Sequence, residues 1–385
     1  MLGKTNITTL KEGGTVTEIE EFSWVPVNSG IRRDFKMAVF GNGILVGVTE
    51  SGDVAYTADG EVWETTELGY AGCRINDVEW DGERFFLVGR YTDAEGGNPS
   101  ALIVATADFR TVERIELDRA DDEEYAMIHY QNGSHVLVAS KNMNASGRTL
   151  LFLYADLGQR KVTEGEEIDS EVTEYCIKAA KCTNGVLICV DEKVRESGGL
   201  WTHQLLITLR SSGIRMLEDN KGQSPERSVI ECRDELYVVE YAGKERYDLY
   251  KVTTADDMLN MCLGQKFEFI SGVYFAGCRV FIGVHDMLIV RSGESIADKA
   301  EGDLLEIAPE MSMSCIVRAF GQLYIFGNQG AVLRSSTETD NGNVLVVQAV
   351  SARKALAEAR KYADERYAEL EARIAALETV QGGGA

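Results

Sequence analysis

Residues 39–63 read Val-Phe-Gly-Asn-Gly-Ile-Leu-Val-Gly-Val-Thr-Glu-Ser-Gly-Asp-Val-Ala-Tyr-Thr-Ala-Asp-Gly-Glu-Val-Trp. A half-apolar run ends in Gly41-Asn42-Gly43, a strongly apolar run follows, and a second turn leads into a third run at 54–57. Asn-Gly accepts the positive φ that a two-residue hairpin demands, so the stretch reads as three short antiparallel strands. A more polar fourth strand is expected at 62–66. The same signal recurs along the chain. Asp81-Gly82 precedes the apolar run 85–88, Asn132-Gly133 precedes 136–138, and Asn184-Gly185 precedes 186–188. Asp234, Gly277 and Gly321 stand likewise before 236–239, 280–282 and 323–326. The markers at 43, 82, 133, 185, 234, 277 and 321 are 39 to 52 residues apart. Units of this length with several short strands each are the signature of β-propeller blades.

Third strands are expected at 54–57, 101–105, 150–154, 204–207, 248–251, 287–290 and 332–335. The second strand of each unit is nearly continuous in apolar character, as a strand packed on both faces must be. The fold expected is therefore all-β, a seven-bladed propeller over 21–348, preceded by an N-terminal extension at 1–20. A pair of β-sandwiches would also give strands every 8 to 12 residues, but not seven like units. Ring closure has two candidates, the strand 22–25 around Trp24 and the run 344–347.

Of 385 residues, 62 are acidic and 39 basic, a net charge of −23, with 44% hydrophobic and 26% charged residues. These are the proportions of a globular chain, and the charge opposes nucleic acid or an anionic bilayer as partner. No apolar run approaches the ~20 residues that span a membrane, and the first residues, Met-Leu-Gly-Lys-Thr-Asn, lack the apolar core of a signal peptide. Eight cysteines at 73, 176, 182, 189, 232, 262, 278 and 315 lie mostly in apolar runs and form no Cys-x-x-Cys. They are read as buried thiols. His129 and His135 flank a hairpin turn with no Cys or His at ligand spacing, which makes them structural. No cofactor or metal is called for.

The stretch 39–63 resembles the Asp-box repeats of sialidase-type propellers, in the shortened form found in bacteriophage tail and fibre proteins. The resemblance implies that Asp59 accepts backbone hydrogen bonds in the turn between third and fourth strands, beside Gly60. It also implies that Trp63 packs between blades. Thr106-Ala107-Asp108-Phe109 looks like a degraded copy without its Trp. Sialidase chemistry needs an arginine triad, a Tyr/Glu pair and an acid Asp. The first unit lacks the Arg-Ile-Pro start and reads Gly-Ile-Arg-Arg-Asp at 30–34. With 62 acids, no pair stands out as a glycosidase couple. The chain is read as non-enzymatic.

Beyond about Val350 the composition changes to Ala, Glu, Arg, Lys and Leu without Gly or Pro until 382–384. A helix over 349–380, followed by a Gly-rich tail at 381–385, is expected. Leu356, Ala363, Leu370 and Leu377 recur every seven residues, and Tyr367 and Ile374 complete an a/d seam. A self-associating coiled coil follows. The phrase 357–366, Ala-Glu-Ala-Arg-Lys-Tyr-Ala-Asp-Glu-Arg, resembles the helical spacers of phage tail fibres, and a homotrimer is what that resemblance implies. Together these imply a structural, receptor-binding protein of the virion tail, made in the host cytoplasm. Its partners would be itself, other tail proteins and a host surface glycan or protein, met by loops such as 91–100 and 141–148. An intracellular scaffold or assembly factor, and a glycan-active enzyme, are the alternatives.

Overall fold

The computed structural model describes residues from Trp24 to Ser335 apart from short connecting segments, the longest being 93–99, 261–268 and 293–302. In several strands, including those between 260 and 313, the description is of the backbone alone. The N-terminal extension, the run 344–347 and the helix with its seam residues Leu356, Ala363, Tyr367, Leu370, Ile374 and Leu377 lie outside the described residues.

The chain enters on β1 (Trp24–Asn28). A first sheet follows from β2 (Phe35–Gly41), β3 (Ile44–Thr49), β4 (Asp53–Thr57) and β5 (Glu64–Glu67). The second is β6 (Arg74–Trp80), β7 (Phe85–Tyr91), β8 (Ser100–Thr106) and β9 (Glu113–Arg114). The third is β10 (Glu123–Gln131), β11 (Ser134–Met143), β12 (Gly147–Asp156) and β13 (Lys161–Ser170). The fourth is β14 (Val172–Cys182), β15 (Gly185–Glu196), β16 (Gly199–Arg210) and β17 (Gly213–Gly222). The fifth is β18 (Arg227–Cys232), β19 (Glu235–Gly243), β20 (Arg246–Val252) and β21 (Met258–Asn260). The sixth is β22 (Phe269–Ala276), β23 (Cys278–Gly283), β24 (Met287–Ser292) and β25 (Asp303–Glu306). Last come β26 (Met313–Ala319), β27 (Gln322–Gly327) and β28 (Ala331–Ser335), and β1 adds to their outer side. Each sheet is an antiparallel meander of four strands, and the architecture is that of a β-propeller.

Hairpin chemistry accounts for the meanders. Asn42, Gly43, Gly82, Gly133, Gly185 and Gly321 all hold positive φ at the turn between first and second strands, the conformation that Asn and Gly adopt most readily. The polar outer strand of the first sheet starts at Glu64 rather than Val62, because the preceding turn takes up Val62 and Trp63.

The core lies between sheets. Val46, Val48, Val54 and Tyr56 of the first sheet pack against Ile75, Val78, Phe85, Leu87, Leu102 and Val104 of the second. Equivalent clusters join the second to the third sheet, the third to the fourth and the fourth to the fifth. A middle strand is therefore apolar on both faces; Phe85, Phe86, Leu87 and Val88 are all fully buried. Each such side chain contributes about 1.5–3 kcal/mol by leaving water.

The innermost strands touch their neighbours in the order β2, β6, β10, β14, β18, β22, β26 and back to β2. Closure comes from β1, which pairs antiparallel with β28 from Trp24↔Ser335 to Asn28↔Ala331. Pro26 sits in this strand opposite Leu333, acceptable because its free side is a sheet edge. Ser29 Oγ donates to Gly330 O at 3.0 Å, and Gln329 N donates to Asp34 Oδ1 at 2.8 Å. Across the same seam Phe35 meets Phe326 edge-on at 5.2 Å. A Cβ on Gly47 would come within 2.6 Å of Phe326 and 2.9 Å of Phe35. Cys73, Cys182, Cys189 and Cys315 are thiols rather than halves of a disulfide; burial pushes Cys315 up to about 12, and burial with the charge of Asp53 pushes Cys73 up to about 11.

Gly47→Ala should overpack this seam and cost about 1–3 kcal/mol, read as a lower urea midpoint at unchanged slope. An unchanged midpoint would mean that the first and last sheets are not in contact there.

Candidate functional site

Five innermost strands, β2, β6, β10, β14 and β26, bring residues to one mouth of the ring, and several begin with a bulge. Register slips by one residue between Phe35 and Met37 in β2, Ile75 and Asp77 in β6, Tyr125 and Met127 in β10, and Met313 and Cys315 in β26. The extra residues are Lys36, Asn76, Ala126 and Ser314. A bulged residue has no partner across the ladder and its side chain is re-aimed. All four line a cavity of about 550 Å³ at the mouth of the central channel, together with Asp34, Phe35, Glu50, Arg74, Glu124, Ser140 and Ile177. That volume is within the range of small-molecule sites, ~300–1,000 Å³.

A chain of polar contacts runs around the mouth. Lys36 Nζ donates to Ile75 O and to Asn76 Oδ1, both at 3.2 Å. Asn76 Nδ2 donates to Glu124 Oε1 at 2.7 Å and to Tyr125 O at 2.9 Å. Arg74 Nε lies 2.6 Å from Glu50 Oε1, and Arg90 Nη1 lies 3.5 Å from Glu124 Oε2. Burial is the main force on the Lys36 ammonium and pushes its pKa down; Glu50, Asp77 and Glu124 oppose it and Arg74 adds to it.

Deeper in the channel, one to three residues further along β6, sits an ionic clamp. Lys181 of β14 reaches past β10, placing Nζ 2.6 Å from Asp77 Oδ2 and 2.9 Å from Glu79 Oε2. His129 of β10 puts Nδ1 3.2 Å from Glu79 Oε1, and Ile128 N donates to Asp77 Oδ2 at 2.9 Å. Three successive innermost strands are thus tied through two carboxylates. Burial raises the Glu79 carboxyl, but the Lys181 charge and the His129 bond outweigh it and lower it to about 2. Asp77 is pushed up, by burial first and by the Glu79 charge, against the pull of Lys181. Two acids share one cation, so Asp77 takes the first proton on acidification. His135 is buried, packed on Phe86 at 4.5 Å between ring centroids and with Nε2 3.4 Å from Asp81 Oδ2.

The site residues expected from sequence lie elsewhere, on the outer side of the ring. Between β4 and β5, Asp59 Oδ1 accepts from Glu61 N at 2.8 Å and Val62 N at 2.9 Å, while Gly60 N donates to Thr57 Oγ1 at 2.9 Å. These bonds, Val62 N and Glu61 N foremost, hold the Asp59 carboxyl below its usual range. Gly60 has φ +78, and a Cβ there would lie 2.1 Å from Tyr324 Oη. The turn leans on the closing sheet: Trp63 lies 6.0 Å from Phe326 and 6.4 Å from Tyr324 between ring centroids. Arg334 of β28 bonds Gly60 O at 3.3 Å and pairs with Glu61. Thr106–Arg110 repeats the pattern, with Phe109 N on Thr106 Oγ1 at 2.8 Å and Arg110 N on Asp108 Oδ1 at 3.0 Å. Phe109 there adopts φ +63 where the first turn has glycine.

Within the stretch 141–148, residues 141–143 and 147–148 continue the β11–β12 ladder as far as Met143↔Gly147, and 144–146 lie outside the described residues. The fourth sheet has strands of 10 to 12 residues against 4 to 7 in the first. Since Ile177 lines the mouth and β14 begins at Val172, this sheet rises about 15 Å beyond the rim at ~3.3 Å per residue. The channel mouth therefore has a raised wall on one side.

Sequence reasoning did not single out Lys36, Asn76, Asp77, Glu79 or Lys181. The available signal was the run Asn76-Asp77-Val78-Glu79, polar residues in a strand that must sit inside the ring.

No protein-family model matches the chain, and no curated protein matches it in sequence. Among solved structures it is similar to a catalytically inactive virginiamycin B lyase from Staphylococcus aureus with quinupristin, at 12% identity and a TM-score of 0.52. That match covers 82% of this chain and 99% of the lyase. It is also similar to the Pan2 WD40 domain of Neurospora crassa, at 8% identity and a TM-score of 0.50, over 80% and 91% of the two chains. At such identities the likeness is one of fold, a β-propeller.

Lys181→Met should destabilise the fold by about 3–5 kcal/mol, because Asp77 and Glu79 would face each other in the channel without a cation. Adding Glu79→Gln should recover part of that loss, a non-additivity read by chemical denaturation of the double-mutant cycle. A loss under about 1 kcal/mol, the level of an exposed pair, would mean that the clamp is solvated.

Proposed function

We propose that the chain is a non-enzymatic binding propeller of a bacteriophage tail, seven-bladed and presented in three copies by its C-terminal helix. The observation that carries the binding reading is the channel mouth, a polar cup with a wall raised on one side. The clamp beneath it supports a rigid rather than a reactive centre, since both of its carboxylates are engaged by Lys181. The tail assignment rests on the Asp-box-like stretch 39–63, on the helical phrase 357–366 and on the heptads of 356–377. Asp59, Gly60 and Trp63 then serve the ring, fixing the first blade to the last. Partners would be neighbouring tail proteins and a surface glycan or protein of the host. Trimeric presentation would let weak single contacts add to firm attachment.

Two measurements test this. Mass spectrometry of purified particles from the native source should find the chain as a structural component. Its absence from particles, with retention by a cytoplasmic protein, would favour the scaffold reading. Light scattering at tens of micromolar should give a trimer, and Leu370→Asp with Leu377→Asp a folded monomer, because two carboxylates in the seam cannot be buried unpaired. A monomeric wild type would contradict self-association.

A further inference from the structure

We propose that the channel mouth binds a small organic monocarboxylate through Lys36; this deepens the binding reading above and rests on the mouth being its surface. Lys36 is the bulged residue of β2, so its side chain is released from the ladder into the cup. An ammonium has three donors, and Lys36 uses two, on the neutral acceptors Ile75 O and Asn76 Oδ1. Among the described residues no carboxylate lies within ion-pair distance of it. The other cation of the cup, Arg74, is already held by Glu50. Lys36 therefore offers one charge and one donor without an ionic partner at the open rim of the cup.

The surroundings select the anion. Asp34, Glu50 and Glu124 line the same cavity, and their charges repel a second negative charge on the ligand. They oppose a first charge too, but a monocarboxylate held by the single charge of Lys36 is disfavoured less than a phosphate dianion. Ala126 and Ile177, both half-buried, supply an apolar side to the cup, suited to a ligand with a short uncharged body behind its carboxylate. Binding of this kind would place a small molecule at the centre of the face that meets the macromolecular partner.

The probe is N-acetylglycine, with its neutral primary amide and inorganic phosphate as comparators, followed by amide chemical shifts of Asn76, Ala126 and Ser314 in the full-length protein. Saturable shifts are expected with N-acetylglycine, with affinity for the amide lower by about tenfold or more, the worth of a hydrogen bond to a charged group. Lys36→Gln should lose binding to a similar degree, and Lys36→Arg, which keeps the charge, should retain it. A melting curve of each variant separates lost binding from lost fold. No saturable shift, equal binding of acid and amide, tighter binding of phosphate, or full binding by folded Lys36→Gln would each overturn the proposal. Particle mass spectrometry does not depend on Lys36, so the tail assignment can stand or fall separately.

Discussion

A row of four-stranded sheets stacked face to face leaves an apolar face open at each end until the first sheet meets the last. Everything in this molecule depends on that meeting. It is made by a strand from the start of the chain, β1, on the outside of a sheet built from residues some 300 positions later; Ser29 and Gly330 are 301 residues apart. The closing sheet thus contains both ends of the ring, and it cannot be completed without bringing them together. The Phe35–Phe326 contact, the absence of a side chain at Gly47 and the Arg334 bonds to the turn at Gly60 and Glu61 all lie on this seam. Loop-closure entropy for so long a span is high, but it grows only logarithmically with length. The apolar cluster of Phe35, Leu45, Ala55, Tyr324, Phe326 and Val332 opposes it.

Closure has a consequence at the centre. Innermost strands held side by side around a ring bring polar residues of different sheets within bonding distance although they are about 40 to 100 positions apart in sequence. Asp77, Glu79, His129 and Lys181 meet for this reason, and so do Lys36, Asn76 and Glu124. The two groups differ in what remains unsatisfied. In the clamp each carboxylate has a cation or several donors; at the mouth an ammonium has only neutral acceptors. The first arrangement binds the ring to itself and the second is open to a ligand.

What was legible in the sequence is what local chemistry decides. Asn42-Gly43 and Asp81-Gly82 announce hairpins because their turns need positive φ, and the apolar runs after them announce strands buried on both faces. The strand around Trp24 was one of two candidates for closure, and Trp24–Asn28 takes that place as β1; Phe22, Ser23 and the run 344–347 lie outside the described residues. The geometry of the Asp59 turn was legible through a motif. Its repeat at Asp108 survives with Phe109 in the glycine position, which shows that the hydrogen bonds, not the glycine, define the turn. The clamp and the cup were not legible. A lysine at 181 becomes the partner of an aspartate at 77 only once a ring places their strands two apart, and a bulge at Lys36 leaves no mark in composition.

The central claim is that β1 closes the ring, and hydrogen exchange under native conditions tests it most directly. Peptides covering 24–28 and 331–335 should exchange as slowly as those of the middle strands β7 and β11, because their amides would open only with the whole fold. Fast exchange of 24–28, with β28 exchanging far ahead of β27, would show an unpaired N-terminal strand and a ring held by other means.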